Sequence, residues 1–513
     1  QTMKKKILSI LLSLCITLSL LPSVALAAGN TITPTANTWG ALIAAFDSAQ
    51  NGDTVQLTGD ITTGTEHLQY IGLNKAVTLY FNGHTINYNA IGSSLVDQSG
   101  LFVLESGGIL TLKGSGGAML TGNYSAFVHL KADGKLIIES GVYTNNGEIG
   151  GTLISSFGGA VEIKGGTLSS KCPQTLALVG GTGSISGGSI SCDEFALTSF
   201  GAAVTVSGGT ISTKSNTTAY IASGGSVQMS GGTINNTGSS AALYLNADAG
   251  ASAVSGGVIT SVGGTALSSK SVLSIGSDAQ INSTSGIGIR TEGTLTVTGG
   301  SIGSESETAL YNVGDLSITS GSIHSDSGAG FANMAPSGKS AVVSGGSITS
   351  GSYCPAVNWK EGTLDINGGS ITTIDGSCAV YNNGAGTVNI TGGSLSAKII
   401  TVVNNGAGTV KLSAGTIAGI VNYNASGRVV IDGGSVKTIQ GTTPINSAGT
   451  ELSFFGITLT DGNDKVVANM DVTAHDLTFA PAVSYGFNGV KTDASCTVYL
   501  WLPSATTNAT YKG

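Results

Sequence analysis

Val204-Thr205-Val206-Ser207-Gly208-Gly209-Thr210-Ile211 is the stretch on which the reading of the fold turns. Two apolar residues alternate with polar ones, a small doublet follows, and then come a hydroxyl residue and an apolar one. The phrase also stands at 161–168 as Val161-Glu162-Ile163-Lys164-Gly165-Gly166-Thr167-Leu168. It returns from Leu295 to Ile302, Leu364 to Ile371, Val388 to Leu395 and Val429 to Val436. Doublets recur from 165 to 433 about every 22 residues, with one degenerate copy near Asp278. Repetition of this kind decides the architecture before local propensity does.

The apolar positions of each phrase alternate with period two, which is the strand signature. Glycine doublets would break a helix at the same places. The period is too short for helix-pair repeats, and regular Leu-x-x-Leu-x-Leu phrases are absent. A coil of about 22 residues with three short strands fits: the phrase, the Thr-Ile segment after the doublet, and an Ala-rich segment before the next phrase. That last segment reads Ala309-Leu310-Tyr311-Asn312 and Ala379-Val380-Tyr381-Asn382. One coil cannot bury its inward residues alone, so coils must stack. The expected fold is all-β: a single-stranded parallel β-helix. Weaker copies at Gly107-Gly108, Gly116-Gly117 and Ser140-Gly141 extend it upstream. About 15 coils at roughly 4.8 Å spacing give a rod on the order of 70 Å long.

A solenoid needs its open ends covered. Thr38 to Ala49 carries Trp39, Leu42, Ile43 and Phe46 on one helical face, with Asn37 or Thr38 placed to cap it. This helix is the expected N-terminal plug. After it come Gly52-Asp53-Thr54-Val55-Gln56-Leu57 and Val77-Thr78-Leu79-Tyr80-Phe81-Asn82-Gly83-His84-Thr85-Ile86. These runs, with the Gly-Gly-Thr/Ser-Ile rungs, resemble pectin-lyase-like β-helix surface proteins of Gram-positive bacteria. The resemblance spans roughly residues 38 to 447. It implies a right-handed stack and an adhesin-like surface role.

Met3, then Lys4 to Lys6, then an apolar run from Ile7 to Leu21, then Ala25-Leu26-Ala27, follow the order of a secretory signal peptide. The expected divisions are a signal peptide at 1–27, cap and first coils at 28–100, body at 101–447, and a C-terminal β module at 448–513. In that module Leu452 to Thr460, Lys465 to Val472, Leu477 to Ala480 and Thr497 to Leu502 read as strands. The sequence stops at Gly513 without an evident terminator, which implies a truncated product. Cleavage after Ala27 moves the formal charge from −8 to −11. An acidic chain with few Lys and Arg lacks the footprint for nucleic acid. Nothing after Leu21 is long enough to span a bilayer. The expected partner is a polysaccharide or host glycan, with no nucleic acid and no membrane insertion, bound by a secreted or surface-attached monomer.

Enzymes of the resembled fold cleave polysaccharides, and hydrolysis needs a carboxylate pair facing one cleft. The Asn-Thr-Asp, Asp-Asp and Gly-His-Gly phrases of polygalacturonase-like enzymes are absent. The outward column of the main strand reads Glu162, Thr205, Gln228, Ser274, Thr296, Ser317, Asp365, Asn389 and Lys411, with its acids several coils apart. His84 reads as structural, and His129, His324 and His475 show no obvious partners. Asp461-Gly462-Asn463-Asp464 reads as a plain turn rather than a calcium loop. No catalytic residue, metal or cofactor is assigned.

Cys172 and Cys192 lie 20 residues apart, and Cys354 and Cys378 lie 24 apart, so each pair falls on neighbouring coils as a disulfide or a thiol stack. Cys496 has no partner. Asn312, Asn333, Asn358, Asn382 and Asn404 track the coil period and are expected to form an inward ladder. Parity then places Tyr220, Tyr244, Tyr311, Tyr381 and Tyr423 outside on one column, with Trp359 near it. Such rings can meet sugar faces while Asn and Ser bond the hydroxyls; a bland account is that Tyr simply suits strands. The expected function is a non-catalytic, adhesin-like, glycan-binding rod. The alternatives are a polysaccharide lyase or glycosidase, and a structural stalk.

Overall fold

Side chains alternate faces along a strand, so Val204 and Val206 turn inward and are buried, while Thr205 faces out. Ile211 rejoins the interior beyond the doublet. The chain stays in one sheet through that bend: the strand Ala203–Thr213 pairs in parallel with Ser226–Asn236, and the register shifts only at the doublet. Gly209 has φ +77°, and a Cβ there would lie 2.6 Å from the Gly187 carbonyl oxygen of the coil below. Doublet therefore stacks on doublet because backbone occupies the space a side chain would need.

The computed structural model describes residues 29–433 apart from 64–68, 90–99, 122–125, 148–150 and 172, and after 433 only the strand residues 435–436, 439–441, 454–460, 466–472, 497–500 and 509–512. It is a right-handed parallel β-solenoid of about 16 turns. The strands Asp53–Gln56 and Ala76–Tyr80 open coils that lack a Gly-Gly pair at the bend. The first two strands of a coil join a wide sheet, except that Thr416–Ile417 and Ser435–Val436 pair apart from it, and the third joins a narrow sheet running in register from Ile71–Leu73 to Ile439–Gly441.

Helix α1, Trp39–Ser48, is the single helix among the described residues. Thr38 caps it, its Oγ1 accepting from the Ala41 amide at 3.3 Å. Trp39, Leu42, Ala45 and Phe46 are buried against the first coils, while Ile43 is only half-buried. The interior near the helix is aromatic. Trp39 and Phe46 meet Phe102 edge-on at 6.1 and 5.4 Å, Phe102 meets Phe127 at 5.5 Å, and Phe127 stacks on Tyr143 at 5.6 Å.

Further along, the interior carries amides. Asn312 Nδ2 donates to Asn333 Oδ1 at 3.0 Å, Asn333 to Asn358 at 2.8 Å, Asn358 to Asn382 at 2.9 Å, and Asn382 to Asn404 at 2.8 Å. A sixth member, Asn422, accepts from Asn404 at 2.9 Å. Each amide also donates to a backbone carbonyl, as Asn312 does to Gly314 and Asn422 to Gly427. A second inward column runs in the corner after the second strand. The Ser304 hydroxyl donates to the Gly286 carbonyl at 2.7 Å and accepts from the Glu307 amide at 2.9 Å. Ser325, Ser350 and Thr373 repeat that pattern one coil at a time. Corner backbone groups that would be costly if buried bare are thereby satisfied.

Beyond 433, Phe454–Thr460 pairs antiparallel with Val466–Val472, and Thr497–Leu500 with Ala509–Lys512. The segment 1–27 expected as a signal peptide, Cys172, Asp461 to Asp464, His475, Leu477 to Ala480 and Cys496 lie outside the described residues.

Candidate functional surface

The narrow sheet sets its outward residues in one line. Strand register aligns Thr198, Tyr220, Tyr244, Ser268, Arg290, Tyr311, Ala332, Val357, Tyr381, Val403 and Val421. Four of the five tyrosines expected there lie on this line. Tyr423 does not. The inward asparagine of its coil is Asn422, so the line passes through Val421, and Tyr423 sits two residues further on, 69% exposed. Trp359 occupies the same step after Asn358 and meets Tyr381 edge-on at 6.2 Å.

The rings use much of their surface on one another. Tyr220 and Tyr244 stack at 5.5 Å with planes 5° apart. Phe195 and Phe200 meet Tyr220 at 6.4 and 5.9 Å. The guanidinium of Arg290 lies 4.9 Å from the Tyr311 ring centre. Tyr311, Trp359 and Tyr381 pack against a separate apolar cluster of Ala332, Val357, Val403 and the half-cystines Cys354 and Cys378. Those two cysteines form a disulfide, with Cα atoms 5.1 Å apart. Cys192 is buried, which pushes its thiol above the ordinary range.

What the column presents outward is therefore a row of half-exposed ring edges and phenol hydroxyls. Charges punctuate it at its centre. Glu292 pairs with Arg290 at 3.0 Å and with Lys270 at 3.6 Å. A hydrogen bond to Tyr244, reinforced by Glu292, holds the Lys270 ammonium above its usual pKa. A second outward line runs two residues beyond this one on the upstream coils, and it was not read from the sequence. Phe157, Val179 and Phe200 are in register and exposed, and each precedes a glycine of positive φ, Gly158, Gly180 or Gly201. That apolar-Gly pair recurs with the coil period and was the available signal.

The described histidines are placed as follows. His84 Nδ1 lies 3.6 Å from Asp60. His129 is buried on the narrow sheet beside Phe157, with Nδ1 unpartnered, and burial lowers its pKa. His324 has both ring nitrogens engaged, at 2.8 Å with Thr349 Oγ1 and 2.8 Å with Asp326. Many of the described acids face lysines: Glu105 faces Lys131, Glu162 faces Lys135 and Lys164, Asp315 faces Lys339, and Asp432 faces Lys411. Among the described residues no three His, Cys, Asp or Glu side chains gather as a metal site would require. No known protein family, curated protein or solved structure matches this chain.

Proposed function

We propose that the protein is a non-catalytic rod, exported to the cell exterior or surface, that binds glycans along the outer face of its narrow sheet. The observation that carries this reading is the register line that holds Tyr220, Tyr244, Arg290 and Tyr311, with Phe200 of the neighbouring line packed against Tyr220. A polymer lying along the rod would meet apolar ring edges alternating with hydroxyl, ammonium and guanidinium donors. That mixture suits sugars, whose rings offer C–H patches between hydroxyls. Rigidity helps: the platform is set by the sheet, so little side-chain freedom is lost on binding. Hydrolysis of a glycosidic bond would need two carboxylates facing one another across it, and Glu292, two residues beyond Arg290 on this stripe, is held by two cations.

The test is a glycan array followed by titration calorimetry on wild type and a Tyr220→Ala/Tyr244→Ala variant. The expected result is binding that weakens about tenfold, the scale of one lost aromatic contact. Wild-type affinity in the variant would sink the assignment of this face. Absence of any glycan signal would favour the spacer reading, to which the self-packing of Tyr311, Trp359 and Tyr381 already lends support.

A further inference from the structure

The repeat breaks at one place, and the surface opens there. The strand Leu273–Ser283 replaces the glycine doublet and its hydroxyl residue with Ser277-Asp278-Ala279-Gln280. Ala279 and Ile281 keep the interior parity and are buried, so Asp278, Gln280 and Asn282 all stand on the outer face. The coils on either side hold small residues in register. Gly256 lies beside Asp278, Ser301 beside Gln280, and Gly303 beside Asn282. A cavity of about 510 Å³ results, lined by the three long polar side chains with Gly300, Ser301 and Gly303. One coil further along, His324 is in register with Gly303 and is fixed by Thr349 and Asp326.

Some polar side chains elsewhere on this sheet bond one another across coils. Asn389 donates to Asp365 at 2.7 Å, and Thr260 donates to Asn235 at 2.9 Å. Asp278, Gln280 and Asn282 depart from that habit: none of their side chains has a hydrogen-bond or ion-pair partner among the described residues. One carboxylate, two amides and the Ser301 hydroxyl therefore converge on a cavity with their bonding capacity unused.

We propose that this irregular coil is a second binding subsite, and that its ligand is a neutral saccharide unit offering adjacent hydroxyls. The proposal rests on the glycan-binding reading given above. The chemistry is complementary: a carboxylate accepts from two neighbouring hydroxyls, and the amides donate to sugar oxygens while accepting from others. Asp278 is the one charged residue lining the cavity. Without a cation beside it, a uronate or sulfated sugar is repelled and a neutral one is not. Calcium is a poor fit, since it takes six to eight oxygen ligands that usually include several carboxylates. The small residue at Gly303 keeps the cavity open, because a Cβ there would collide with the Asn282 amide oxygen.

The experiment titrates the whole chain given by this sequence with neutral gluco-, manno- and galacto-oligosaccharides and, in parallel, with oligogalacturonate. Variants are Asp278→Ala, Gln280→Ala and Gly303→Thr, the last giving this position the residue found at Thr349. Asp278 and Gln280 are exposed, so thermal denaturation of Asp278→Ala and Gln280→Ala should match wild type and carries the test if Gly303→Thr is destabilised. The expected result is neutral-sugar affinity reduced about tenfold or more in each variant, the effect of losing a hydrogen bond to a charged or desolvated group. If the variants bind like wild type while Tyr220→Ala/Tyr244→Ala does not, this subsite is overturned and the aromatic stripe stands. If oligogalacturonate binds and neutral sugars do not, the ligand class is overturned. If nothing binds, both readings fall.

Discussion

The two halves of the rod solve one problem by different physics. Between α1 and Tyr143 the interior is a chain of rings, each in its own orientation against the next. Between Asn312 and Asn422 it is a column of identical amides bonded head to tail. Rings gain from area buried and shape, and tolerate a shift that preserves volume. Amides gain little net from each bond, but an orphaned member in a dry interior is expensive. The aromatic half is thus specified by fit and the amide half by completeness. The aromatic half lies where coils vary in length and each interface is individual. The amide half lies where coils are near copies and apolar rows alone distinguish one register poorly.

Substitutions can break that contrast. Asn382→Ala should cost the most, roughly 4–6 kcal/mol, because it strips a partner from both Asn358 and Asn404 inside a dry core and leaves a void. Loss of hydrogen-exchange protection should centre on the strands holding Asn358 and Asn404, and uniform exchange along the rod would contradict the ladder's local role. Phe102→Ala should cost about 3–5 kcal/mol by emptying the meeting point of Trp39, Phe46 and Phe127. Its denaturation should begin at α1, and Phe102→Leu should recover much of the loss, a rescue that Asn382→Leu should not show.

The start of the ladder allows a smaller test of opposite sign. Asn312 Oδ1 is buried without a donor, and so is the hydroxyl of Thr291, its in-register neighbour one coil below. Thr291→Asn should add a rung and stabilise by about 1 kcal/mol. An unchanged or lower melting temperature would show that the site holds a different bond. The smallest effect at neutral pH comes from His129. Its folded pKa is depressed by burial, so below the ordinary imidazole value the unfolded chain takes up a proton that the folded one resists. Stability of the aromatic half should be at its full value above about pH 6.5 and fall as pH drops toward the lowered folded value. His129→Phe should flatten that slope, and the amide half, whose column does not titrate, should show none. Melting curves at pH 7 and pH 5 would check both.

Much of the fold was legible because its determinants are local and periodic. Alternation around Val204 and Val206, the doublet and the Ala-rich third strand each recur often enough to read by eye. Helix α1 declared itself by the spacing of Trp39, Leu42 and Phe46. The surface was harder to read. Parity placed Tyr311 and Tyr381 outside but is blind to what lies beside them, so their packing on Arg290, Trp359 and the Cys354–Cys378 cluster was invisible. Tyr423 was misplaced because Asn422 and Asn424 share parity, and the Tyr-Asn pair at 423–424 imitates the one at 381–382. The true inward residue is Asn422, where the strand ends. The hydroxyl column at Ser304, Ser325 and Ser350 escaped notice because serine is common everywhere in this chain. The break at Asp278 was visible as a fault in the repeat, but the small neighbours that turn a fault into a cavity are a matter of register.

The amide column also has an electrical sense. Every Nδ2 donates toward the C-terminal coils, so the side-chain dipoles of the ladder members point the same way and add, as peptide dipoles do in a helix. The column has a negative tail at the bare carbonyl oxygen of Asn312 and a positive head that closes on the Gly427 carbonyl. Lengthening it at the tail calls for a donor and at the head for an acceptor, so two such rods joined end to end would fit in one orientation and repel in the other.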